Sequence, residues 1–230
     1  MTGVDWFKFE DRDYDFPFYN NNPQITKRGW LVLFFAFLFG FFLATSEKFI
    51  ISIIGCILLI VSVLYFLKWD YKAILRMPSR NDILLAVVLF IAYILYTLAM
   101  DPILAQFGII SSGTVDPTSF SVMTSFEFIF WVLGEEFIKF IPLMFFLRVL
   151  YKYTNNRKLS IIISVALVML MFASMHAFNY VMLIYAVFIQ GFGSIFEFYG
   201  YIKTKNIIVP FLSHLFTDEF ILLMVLLGLS

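Results

Sequence analysis

The sequence predicts an all-α, polytopic bundle of membrane-spanning helices, about seven in number. Three observations predict it. Hydrophobic residues fill 62% of the 230 positions and charged residues only 14%, with a mean hydropathy of +0.91. Soluble domains are roughly 45–50% apolar, so the class is decided by composition alone. Apolar runs near the length of a span, about 20 residues, recur along the chain. The cations, finally, fall almost wholly on one side of the topology those runs define.

Residues 1–28 alternate aromatics with charges and end in NNNPQ. This reads as a tail at the membrane surface, where Trp6, Phe7, Phe9, Phe16 and Phe18 suit the interface. Seven spans follow at 29–46, 48–69, 82–101, 120–150, 158–177, 179–201 and 207–229. The fourth is too long for one perpendicular crossing, so it tilts, kinks or protrudes. The junction at 177–179 has almost no loop. Three units result: the tail 1–28, three spans within 29–119, and four spans within 120–230. No repeat, low-complexity tract or secretory signal peptide is visible, and the first span is expected to stay as an anchor.

Lys8, Arg12, Lys27, Arg28, Lys68, Lys72, Arg76, Arg80, Arg148, Lys152, Arg157, Lys158, Lys203 and Lys205 share one side of the seven-span topology. Lys48 alone lies opposite, and Lys139 is inside the fourth span. By the positive-inside rule the N-terminus is cytoplasmic and the C-terminus outside. A formal net charge of zero gives no argument for a nucleic-acid partner, and the single Cys56 excludes an intrachain disulfide.

Ionisable groups at membrane depth are functional candidates by default, because each is costly without a cavity or a partner. Here they are Glu127, Glu135, Glu136, Lys139, His176, Glu197, His214, Asp218 and Glu219. Glu135 and Lys139 stand four apart on one helical face in the favourable order, so they are expected to pair. Glu136 points about 100° away and has Phe140 where a partner would be. An unpaired acid there suits a group that takes a proton from water and returns it. Pro142 cannot donate to the Ile138 carbonyl, so a bend is expected beside the acids. In the last span His214 and Asp218 share a face, an oriented proton-handling pair. His176 follows Phe172 by four, and Glu197 sits among Gly191, Gly193 and Ser194, which permit close helix contact.

EEFIK, FASMH and HLFTD resemble the three signatures of the CPBP superfamily of intramembrane proteases, which includes CAAX-processing endoproteases and bacteriocin-processing or immunity-associated, ABI-like proteins. The family pattern is Glu-Glu-x-x-x-Arg, Phe-x-x-x-His and His-x-x-x-Asn or Asp. Here these are Glu135-Glu136, Phe172 to His176, and His214 to Asp218. The approach YGYIKTKNIIVPFLSH is also similar. The resemblance covers roughly residues 120–222, the body of the 120–230 unit. Phe140 stands where the arginine belongs, and Lys139 one residue early makes the first motif similar to PrsW-type proteases.

The resemblance implies a bundle around a polar intramembrane cavity in the plasma membrane of a prokaryote. It also implies hydrolysis of a peptide bond in a membrane protein or lipidated, CAAX-like peptide. Glu136 would activate water with Glu135 in support, His176 would position it, and His214 and Asp218 would stabilise the oxyanion. No cofactor is required in the leading form of this reading. Zn²⁺ held by Glu136, His176 and His214 is the alternative.

Depth raises an objection: at 1.5 Å per residue, Glu136 lies about 21 Å in, Asp218 about 16 Å, His214 about 10 Å and His176 about 27 Å. If His176 is remote, the site reduces to Glu135, Glu136, His214 and Asp218. Two other functions compete. One is a non-catalytic membrane scaffold or immunity-type protein. The other is a transporter using Glu136 and Asp218 as a proton relay, which the lack of an inverted repeat disfavours.

Overall fold

The computed structural model describes residues 10, 14–20, 22–46, 48–110 and 122–228. Trp6, Phe7, Lys8, Phe9, Arg12 and the first two residues of the expected fourth span lie outside these. The described residues are helical with no strands. The helices are α1 (Lys27–Ala44), α2 (Phe49–Phe66), α3 (Arg80–Gln106), α4 (Val122–Thr154), α5 (Arg157–Met175), α6 (Tyr180–Ala186), α7 (Ile195–Thr204) and α8 (Ile208–Leu226). A π-helical turn, Val187–Gly191, joins α6 to α7 so that the two act as one segment.

Six helical segments are long and apolar enough to cross a membrane. The seventh expected crossing is α4, whose 33 residues span about 50 Å, beyond the roughly 30 Å hydrocarbon core. Its charge sets it apart: Glu127, Glu135, Glu136 and Lys139 all lie on it.

Local chemistry explains where the helices start. Thr26 accepts from the Gly29 amide to cap α1, and Ser79 with Asp82 forms a reciprocal capping box on α3. Asn156 caps α5, and Asn179 caps α6, which is why so short a junction suffices there. α1 and α2 pack tightly at Gly55, where an added Cβ would run into the Ala44 backbone. α4 runs through the middle of the bundle, against α1, α2, α5 and α8, while α3 covers α7 and α8.

Four of the expected cations, Arg76, Arg148, Arg157 and Lys205, are bonded at one end of the bundle. The Ile207 amide donates to the Ile74 carbonyl, and Asn206 exchanges hydrogen bonds with the Arg76 backbone. Arg148 donates to the carbonyls of Tyr19 and Asn20. Part of the tail, as far as it is described, enters the bundle. Phe16, Phe18 and Tyr19 are buried in the core, with Phe16 against Tyr201 and Phe18 against Trp30. Glu10 is buried as well, bonded to Arg157 at 2.6 Å and Lys205 at 3.0 Å. Burial pushes the Glu10 carboxyl up, but the Arg157 hydrogen bonds and the Lys205 charge outweigh this and hold it below 4.5.

Candidate functional site

α4 is turned so that Glu136 and Lys139 face inward, only 4% and 2% exposed. The lysine settles the pairing. Its Nζ bonds Glu136 Oε1 at 2.5 Å, three residues back, and also bonds Glu197 of α7. The expected Glu135–Lys139 pair is not made. A lysine reaching Glu197 across a helix interface must leave α4 on its inner side, and Glu136 is the acid on that side. An ammonium has three donors and engages both carboxylates at once. Glu136, read from sequence as the unpaired acid, is therefore the more heavily paired of the two.

His214 of α8 completes the cluster and gives it two faces. Its Nδ1 lies 2.9 Å from Glu136 Oε1. A carboxylate can only accept, so Nδ1 carries the hydrogen, and the 3.5 Å approach of Lys139 Nζ to the same nitrogen sets two donors side by side. Glu197 Oε1 is 3.9 Å from Nδ1. The other nitrogen, Nε2, looks the opposite way. It faces Glu135 Oε2 at 3.7 Å and Asp218 Oδ2 at 3.8 Å. Those side chains are 35% and 30% exposed, so this face, unlike the first, is open. Both distances exceed a direct hydrogen bond and are short enough for one water to bridge each pair.

A small cavity adjoins the closed face. It is lined by Glu136, Lys139, Phe140, Glu197, Tyr201 and Pro210, among others, with about 20 Å³ open to a water molecule. That is about the space one water needs. Phe140 is buried against the rings of Phe137 and Tyr201. The position that resembles the family's arginine is thus an apolar wall, and the cation comes from Lys139 instead.

His176 stands apart. It follows the last residue of α5, its Nδ1 2.9 Å from the Phe172 carbonyl of its own helix and its ring edge-on to Phe172 at 4.7 Å. Phe172 in turn lies 4.8 Å from Lys139 Nζ, so a phenyl ring separates the histidine from the acids. The depth objection is answered by leaving His176 out of the cluster. Among the described residues, the three side chains able to share a metal are Glu136, Glu197 and His214, their ligand atoms within 4.8 Å of one another. The expected set of Glu136, His176 and His214 is corrected accordingly. As they stand these residues do not fit a divalent cation, because the Lys139 ammonium already lies among them.

Of the remaining acids, Glu219 accepts from Ser125 Oγ at 2.8 Å. Tyr93 of α3 was not apparent from sequence. Its ring packs on Gly193 and against Phe196 of the helix that carries Glu197. A single tyrosine in an apolar span carries no signal of its own. The role of Glu197 did leave one: a lone intramembrane cation attracts whichever acids it can reach.

Comparison of the chain with family models, with curated proteins and with solved structures gives no match. The fold defines an all-α polytopic membrane bundle, and the cluster defines a buried acid, lysine and histidine centre with one open face.

Proposed function

We propose that the chain is an intramembrane endopeptidase that works through a water held at the open face of His214. The observation that carries this is the two-sided histidine: Nδ1 is fixed by buried Glu136 at 2.9 Å, while Nε2 faces the part-exposed Glu135 and Asp218. The resemblance of EEFIK and HLFTD to CPBP-type signatures supports the same reading, with Phe140 and His176 as departures from it.

The geometry supports the following roles. Glu135, the more open acid, takes a proton from the water as it attacks the scissile carbonyl and delivers it to the leaving amine. His214 donates from Nε2 to the developing oxyanion, steadied by Glu136 at its other nitrogen. Glu136 is thereby a positioning residue. Asp218 orients the water from the far side. Hydrolysis adds one water across the peptide bond, giving a carboxylate and an amine. The substrate is a membrane protein or lipidated peptide, reached within the bilayer of a prokaryotic plasma membrane. The cationic end faces the cytoplasm, with the N-terminus there and the C-terminus outside.

One observation favours a second reading. Lys139 ties α4 to α7 through Glu197, and Glu136 ties α4 to α8 through His214, as a purely structural ion cluster in a scaffold or immunity-type protein would. Mass spectrometry separates the two. Purified protein in liposomes is incubated with lipidated CAAX-type and unlipidated apolar peptides, with and without a chelator. The peptidase reading expects products heavier by one water in total, unaffected by chelation and absent with His214→Ala. Intact peptides throughout would leave the scaffold.

A further inference from the structure

We infer that Lys139 stands where a divalent transition metal would bind, so that Glu136, Glu197 and His214 form a metal-type pocket that the chain closes with its own cation. The inference concerns side chains of the proposed site, yet it holds whether or not the protein cleaves peptides.

Three observations carry it. First, the donors converge. Two carboxylates and one imidazole, from α4, α7 and α8, bring ligand atoms within 4.8 Å of one another. This is the mixed nitrogen and oxygen set that Zn²⁺ and Co²⁺ accept. Second, Lys139 Nζ is at their centre. It bonds Glu136 and Glu197 and lies 3.5 Å from His214 Nδ1. Third, the place is buried: Lys139 and Glu136 are 2% and 4% exposed. Charge in such a place must be matched or its desolvation is costly. A divalent ion in place of the ammonium would match both carboxylates, with His214 giving up its Nδ1 hydrogen to serve as a neutral ligand.

Lys139 by itself can hold together a cluster assembled from three helices. Lys139 gives the acids a fixed covalent counter-ion, so their geometry is independent of metal supply. Ligand atoms around zinc sit about 2.0–2.2 Å from it, so the donors would draw in slightly around a bare ion. They need not move far, because an ammonium already holds them together.

The test removes the lysine and offers a metal. Wild type, Lys139→Ala and Lys139→Met are purified in detergent and titrated with Co²⁺, read by visible absorption and by thermal unfolding. Both variants are expected to bind one Co²⁺ at micromolar concentration, with a tetrahedral-type spectrum and a raised unfolding temperature. Adding His214→Ala to either is expected to abolish the spectrum. Wild type is expected to show none up to millimolar metal, a difference of about a thousandfold. Wild type that binds Co²⁺ with loss on His214→Ala would overturn the inference. So would variants that fold and bind nothing, or variants that stay unfolded even with metal supplied, since a fitting ion would restore the lost counter-charge.

Discussion

Two ionic clusters hold this bundle, and they differ in their balance. At the cationic end, Arg157 bonds Glu10 and Asp15, and Lys205 bonds Glu10. Among the described residues that is two acids against two bases. In the interior, Lys139 meets Glu136 and Glu197, with Glu135 and Asp218 gathered round His214. There acids outnumber bases. The end cluster is satisfied and fastens a tail. The interior one carries surplus acid at a depth where surplus charge is expensive, and the surplus sits on the exposed side of the histidine. Matched charge reads as structure, and unmatched charge facing an opening reads as chemistry.

The sharpest way to break this contrast is to neutralise one acid from each cluster. Glu135→Gln is expected to lower peptide cleavage by about 10²–10⁴-fold, the usual worth of a positioned acid or base. Glu10→Gln is expected to leave the rate within a few-fold. Stability reverses the emphasis within the interior. Lys139→Ala strands two buried carboxylates and is expected to cost about 3–5 kcal/mol in thermal or denaturant unfolding without metal. The cost of Glu10→Gln is expected to be about 1–3 kcal/mol, as for a lost charged hydrogen bond. It is read best as faster hydrogen exchange confined to residues 14–20 and the Arg157 region.

Acid probes the end cluster through Glu10. Because the folded Glu10 carboxyl is held below 4.5, its contribution is fully present above that value. It is lost as pH falls through the lower folded value. Limited proteolysis of the tail is therefore expected to accelerate only as pH falls below the ordinary glutamate range, and Glu10→Gln is expected to remove the dependence. The smallest expected effect is that of His176→Ala. With Phe172 between it and the acids, it is expected to lower cleavage by less than about tenfold, the least of the five residues first singled out.

Much of the architecture was legible in the sequence because a bilayer leaves few options. Every backbone group must be satisfied within a helix, so apolar length alone located spans that the helices match to within a few residues. The pairing of the interior charges was not legible. The i to i+4 rule describes isolated helices, where Glu135 is the natural partner of Lys139. It has no knowledge of Glu197, which is 58 residues away and arrives only when α7 packs beside α4. The burial of Phe16, Phe18 and Tyr19 was missed because aromatic residues look the same in sequence whether they meet lipid or core. His214 with Asp218 was visible because both lie on one helix. The split between the two nitrogens was not, since it depends on three helices at once.

The central claim is that water is activated at the open face of His214 and not at the closed one. The most direct measurement is single-turnover cleavage of an apolar membrane peptide in proteoliposomes, comparing Glu135→Gln with Glu136→Gln against wild type. The account predicts that Glu135→Gln removes nearly all turnover, while Glu136→Gln slows the reaction and keeps measurable cleavage. A wild-type rate in Glu135→Gln, or a greater loss in Glu136→Gln than in Glu135→Gln, would contradict it.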